Sequence, residues 1–102
     1  MTRRSVDPPP AIERFADDMQ GEVRRTNRVL DAAITDDECA RLARIRLEAL
    51  RFREAALRIL LEESREEFHD KITRLLALAR GSIDRLEHAL KGYDAFGPSP
   101  SV

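Results

Sequence analysis

The sequence predicts an all-α protein: an antiparallel helical hairpin or coiled-coil-like bundle with a long second helix and a short C-terminal helix. Three observations carry this reading. Charged residues make up 36% and hydrophobic residues 42% of the chain, a mixture that suits long helices better than a compact sandwich. Neither glycine nor proline occurs between residues 35 and 80, so that whole interval lacks a helix breaker. Apolar residues recur at alternating steps of three and four, the pattern of a coiled-coil seam.

The 102 residues are enough for one small domain. A net charge of −1 gives no electrostatic footprint for nucleic acid or for an acidic surface. Cys39 is the single cysteine, so no disulfide framework is expected within the chain, and a reducing compartment fits. The start, Met1-Thr2-Arg3-Arg4, leads into no apolar run of signal-peptide type, and no stretch is apolar enough to span a membrane. A cytoplasmic protein is expected.

Residues 1–10 are expected to be a disordered arm. Pro8, Pro9 and Pro10 favour extended polyproline backbone, and the last of them suits the first position of a helix, where its missing N–H costs nothing. Helix one then runs over about 11–34. Its seam is Ile12, Ala16, Met19, Val23, Thr26, Leu30 and Ala33, widened by Phe15, Val29 and Ile34. Gly21 lies inside it, at a cost of about 1 kcal/mol relative to alanine, and suggests close approach of another backbone. Thr35 with Glu38 three residues later reads as a capping box. Asp36 and Asp37 add negative charge at the positive end of the next helix.

Helix two is expected over about 36–80. Its apolar edge is Leu42, Ile45, Ala49, Phe52, Ala56 and Ile59, resuming after a polar interval as Phe68, Ile72, Leu75, Ala79, Ile83, Leu86, Leu90 and Tyr93. The polar interval 62–67 is either a turn or part of a continuous rod. Ser64 is its one turn-forming residue, and the rod is favoured. Four acids precede a base by four residues (Glu54 and Arg58, Glu67 and Lys71, Asp70 and Arg74, Glu87 and Lys91), which supports helix by about 0.2–0.5 kcal/mol per pair. Gly81-Ser82 is read as a second break, with a last helix over about 82–91 and a disordered tail over 94–102.

Candidate chemistry is sparse. Glu66 and His69 form one Glu-x-x-His, the spacing of helical di-iron sites, which need two copies or added carboxylates from facing helices. An oligomer supplying the second copy is the metal-binding alternative; no cofactor is expected otherwise. Arg41, Arg44, Arg51 and Arg58 lie in a basic block that suggests phosphate contacts. No aromatic platform accompanies them, so a nucleic-acid-associated regulator is a further alternative only. The basic block is followed by five acids between Glu62 and Asp70, and the two blocks attract each other across an antiparallel dimer. Self-association is expected. Cys39 reads as a buried, inert thiol. No catalytic grouping stands out, and no enzymatic activity is expected.

Residues 38–97 carry a charged helix, then Arg65-Glu66-Glu67-Phe68, then Leu75-Leu76-Ala77-Leu78-Ala79-Arg80-Gly81-Ser82-Ile83-Asp84-Arg85-Leu86, and finally Tyr93-Asp94-Ala95-Phe96-Gly97. This order resembles flagellar export chaperones of the FlgN and FliT type, particularly short forms ending in Tyr-Asp-x-x-Gly. It departs from them at Lys71-Ile72-Thr73-Arg74, where an asparagine often stands. The resemblance implies a small cytosolic helical protein that holds a secreted helical subunit. It also implies that Ile83, Leu86, Leu90, Tyr93 and Phe96 form the partner-binding edge.

Overall fold

The computed structural model describes residues 9–96. They form three helices: α1 (Pro10–Ala32), α2 (Asp37–Glu63) and α3 (His69–Phe96), with a single 3₁₀ turn, Glu66–Phe68, leading into α3. The expected all-α bundle is what forms. The helices run up, down and up. Arg46 and Arg53 of α2 meet Glu22 and Asp18 of α1 in reversed order, whereas Lys71 and Arg85 of α3 meet Glu13 and Asn27 of α1 in the same order. The core is shared by all three helices: Ile12 and Met19 from α1, Leu47, Leu50 and Leu57 from α2, and Ile72, Leu75, Ala79, Ile83, Leu86 and Leu90 from α3.

Pro10 is the first residue of α1, as its fixed φ suits. Residues 1–8 of the expected arm, and 97–102 of the expected tail, lie outside the described residues. Gly21 has a different role from the one its sequence context suggests: a methyl group there would meet only the guanidinium of its own helix neighbour Arg25, at 3.3 Å. The three nearest atoms, out to 3.7 Å, all belong to that side chain rather than to the backbone of another helix.

The α1–α2 connection turns on Ala33, whose φ of 68° and ψ of 153° lie in a region that suits glycine. The cap of α2 falls one residue later than the capping box predicts. Asp36, not Thr35, is the cap: it is extended, and its carboxylate accepts the Cys39 N–H at 2.8 Å. That bond holds the Asp36 carboxyl below its usual value. A carboxylate caps as well as a hydroxyl does and also meets the positive helix end.

The chain does not run as a rod from 36 to 80. Ser64 and Arg65 are both extended, with ψ of 156° and 150°, and the chain reverses there. His69 closes the turn through Nε2, which lies 3.0 Å from the Ser64 carbonyl oxygen. No glycine or proline forces this turn. Packing does. A rod would leave the whole stripe from Phe68 to Leu90 in water, and each large apolar side chain buried contributes about 1.5–3 kcal/mol. Reversal places all of it against α1 and α2.

Gly81-Ser82 is not a break either. Helix α3 passes straight through, Ser82 is buried, and the helix continues to Phe96, beyond the expected end near residue 91. The stripe keeps its phase from Ala79 to Ile83 and Leu86. The roughly 1 kcal/mol cost of one helical glycine is small beside the burial of Ile83, Leu86 and Leu90.

Two substitutions test the backbone account. Ala33→Gly relieves the positive φ and is expected to raise unfolding free energy by about 1 kcal/mol. Gly81→Ala places its methyl in open space and is expected to add about 0.5–1 kcal/mol. Urea denaturation read by far-ultraviolet circular dichroism measures both. Loss of stability in either variant would refute the corresponding local geometry.

Candidate functional site

The C-terminal edge expected to bind a partner is inside the bundle. Ile83, Leu86 and Leu90 are buried. Tyr93 is half-buried, and its hydroxyl donates to Asp37 Oδ1 at 2.6 Å. Phe96 is the last residue of α3, and its side chain lies outside the described residues. Reversal at Ser64 explains this correction: folding α3 back covers the edge that a rod would have left open.

The apolar edge of helix two read from the sequence, Leu42 to Ile59, is the one that stays open. Phe52 is 76% exposed, Ile59 59%, Leu42 52% and Ile45 48%, with Ala49 and Ala56 half-buried between them. Helix α2 carries two apolar seams of the same period. One, at Ala40, Ala43, Leu47, Leu50 and Leu57, faces the core. The other, at Leu42, Ile45, Ala49, Phe52, Ala56 and Ile59, runs along the back of the helix. Alanines at 40 and 43 let the neighbouring helices close on the first seam. The second spans 17 residue steps, about 26 Å. Glu38 and Glu63 end it in the same register, and Arg41, Glu48, Ala55 and Glu62 line one margin. Leu78, 45% exposed on α3, stands apart from it.

The other margin of this seam is fixed by a cluster that sequence patterning missed. Glu22 lies in the α1 interface with its side chain only 4% exposed. Its carboxylate accepts from Arg25 at 2.7 Å and from Arg46, which reaches both oxygens at 3.1 Å, and Arg53 stands 3.5 Å away. Arg53 also binds Asp18, and that hydrogen bond raises the already high pKa of its guanidinium. A charged residue between Met19 and Thr26 reads as solvent-facing, and only the arginines across the interface reveal otherwise. Thr26 is fully buried, and its hydroxyl has no hydrogen-bond partner among the described residues.

The arginine face is largely committed within the chain. Arg44 pairs with Asp94 at 2.9 Å, Arg51 with Glu87 at 2.5 Å and Glu48 at 2.9 Å, and Arg58 with Glu54 at 3.2 Å. Arg80 joins Glu54 from α3 at 3.0 Å. Of the four expected pairs along one helix, Glu54–Arg58 forms. Lys71 and Glu87 instead bind across helices, to Glu13 and Arg51. A cleft of about 530 Å³ lies between α2 and α3, walled by Arg44, Arg51, Glu87 and Asp94 over Leu47 and Leu90.

Glu66 and His69 do not present two ligands on one helical face. Glu66 is in the 3₁₀ turn, and one ring nitrogen of His69 is occupied by the Ser64 carbonyl. Among the described residues no group of three histidine, cysteine or carboxylate side chains is placed to hold a metal ion. Cys39 is half-buried rather than enclosed. Among the described residues no helix is long and apolar enough to cross a membrane.

The Tyr93–Asp37 bond ties the end of α3 to the start of α2 and can be read directly. The hydrogen bond to the Asp37 carboxylate pushes the phenol up from 10.0 to about 12. Because the folded value lies above the unfolded one, the bond's contribution is complete below about pH 10 and is lost as pH rises towards about 12. Tyr93 is the sole tyrosine and there is no tryptophan, so ultraviolet difference absorbance reports this group alone. The midpoint is expected near 12, and Asp37→Asn is expected to return it towards 10, the ordinary value. An unchanged midpoint in that variant would remove the bond from the account. Compared with protein-family models, curated proteins and solved structures, the chain matches none.

Proposed function

We propose that this protein is a non-enzymatic cytoplasmic binding protein, a chaperone or adaptor that holds a helical partner. The observation that carries the reading is the bare apolar seam on the back of α2, with Phe52 at its centre. A straight helical stripe of this kind fits another amphipathic helix, side chain into groove. The seat is therefore the back of α2 rather than the C-terminal edge, whose side chains hold the bundle together. The resemblance of residues 38–97 to flagellar export chaperones agrees with a helical partner, and a secreted helical subunit belongs to that class.

Site-specific photocrosslinking in the native cell tests this. A photoreactive residue in place of Phe52 is expected to form an adduct with a helical protein, a further copy of this chain included. The same residue in place of the exposed Thr73 is expected to form none. Leu42→Glu with Ile59→Glu is expected to abolish the adduct at 52 while leaving the fold intact, since both side chains are largely exposed. No adduct at 52, or equal labelling at 52 and 73, would count against the reading.

A further inference from the structure

We propose that the helix seated on the back of α2 is α2 of a second copy, packed antiparallel about a two-fold axis between Leu50 and Arg51. This rests on the binding reading above and names its partner. The first support is the order of large and small side chains. In this register Leu42 lies opposite Ile59 of the second copy, Ile45 opposite Ala56, and Ala49 opposite Phe52, and each layer recurs by symmetry. Both aromatic rings thus face alanines, and the half-buried Ala49 and Ala56 provide the room. A parallel pairing does the reverse. It stacks Phe52 on Phe52 and alanine on alanine at 49 and 56, which overfills one layer and leaves voids in two.

Charge is the second support. Along the margin between the seam and α3, the antiparallel register sets Arg41 beside Glu62 of the second copy, twice, and Glu48 beside Ala55. Arg41 and Glu62 take part in none of the ion pairs seen among the described residues. The opposite margin brings Arg46 near Arg53 of the second copy. Those two are already neutralised by Glu22 and Asp18 within their own chain, so they add little repulsion. A parallel register would instead leave Arg41 and Glu62 about 30 Å apart along the pair. At each end Glu38 faces Glu63, a like-charged layer in open water that stops the seam from extending or slipping outward. Two helices meeting over about 26 Å make a small interface, so the dimer is expected to dissociate at a concentration on the order of 10 μM.

The full chain in sedimentation equilibrium, from about 1 to about 300 μM to bracket that value, is expected to show a monomer–dimer equilibrium. Arg41→Glu and Glu62→Arg each convert two attractive contacts into repulsive ones and are expected to weaken the dimer about tenfold. The double variant Arg41→Glu with Glu62→Arg restores the pairing and is expected to recover affinity to within about threefold. Both positions are exposed, and both changes suit the helix dipole, so melting curves should show folded protein throughout. A monomer at every concentration, or a double variant weaker than either single one, would overturn the proposal. If the protein is monomeric and residue 52 crosslinks to a different helical protein, the dimer falls and the binding reading stands. If residue 52 crosslinks to nothing, both fall.

Discussion

A carboxylate sunk in an apolar interface constrains how α1 can lie. Removed from water alone, Glu22 would cost several kcal/mol. It is tolerated because Arg46 and Arg53 reach it from α2 and Arg25 from the next turn of its own helix. The two guanidinium groups from α2 meet it at one place only, so sliding α1 by a turn would leave the carboxylate buried with Arg25 of its own helix alone. Apolar contacts between helices tolerate small shifts; this contact does not. The buried Thr26 hydroxyl, one turn further along, has no hydrogen-bond partner among the described residues; it adds nothing to the grip and costs on the order of 1–3 kcal/mol. The register of α1 is thus set by charge, whereas α2 and α3 meet over a longer run of leucine, isoleucine and alanine.

Much of the fold was legible in the residues. The α3 stripe is legible as one apolar seam, and from Phe68 to Leu90 it is buried in the bundle rather than held open for a partner, because a single apolar seam has one place to go. The start of α1 at Pro10 followed from proline geometry. The α2 seam was misassigned for a definite reason. Two stripes of identical period run along that helix, and periodicity cannot say which one faces inward. The alanines at 40 and 43 were the hint, since small residues mark where helices approach. The turn at Ser64 is the less favoured of the two readings of the interval 62–67, because no glycine or proline there breaks a helix; the burial of distant residues decides it. Glu22 is not legible as buried because charged residues are usually exposed, and its partners on α2 are more than twenty positions away.

The misassigned seam and the candidate site are the same residues. Leu42, Ile45, Phe52 and Ile59 suggest a buried edge, and their sequence pattern is that of a packed seam. Among the described residues they are left largely uncovered. Isolated exposed apolar residues are ordinary on a protein surface, but a continuous row at coiled-coil spacing is not, and such rows mark association sites.

The rim pairs between α2 and α3 reverse in sign along the hairpin. Arg44 and Arg51 on α2 face Asp94 and Glu87 on α3, while further along Glu54 on α2 faces Arg80 on α3. Each exposed pair alone is worth no more than about 1 kcal/mol. Their order carries more than their strength. Were α3 slipped two turns along α2, Arg80 would take the place of Glu87 against Arg51. The short link at Ser64 and Arg65 already sets the direction of α3, so the charges act as a register code, spelling out how far along the hairpin the last helix lies.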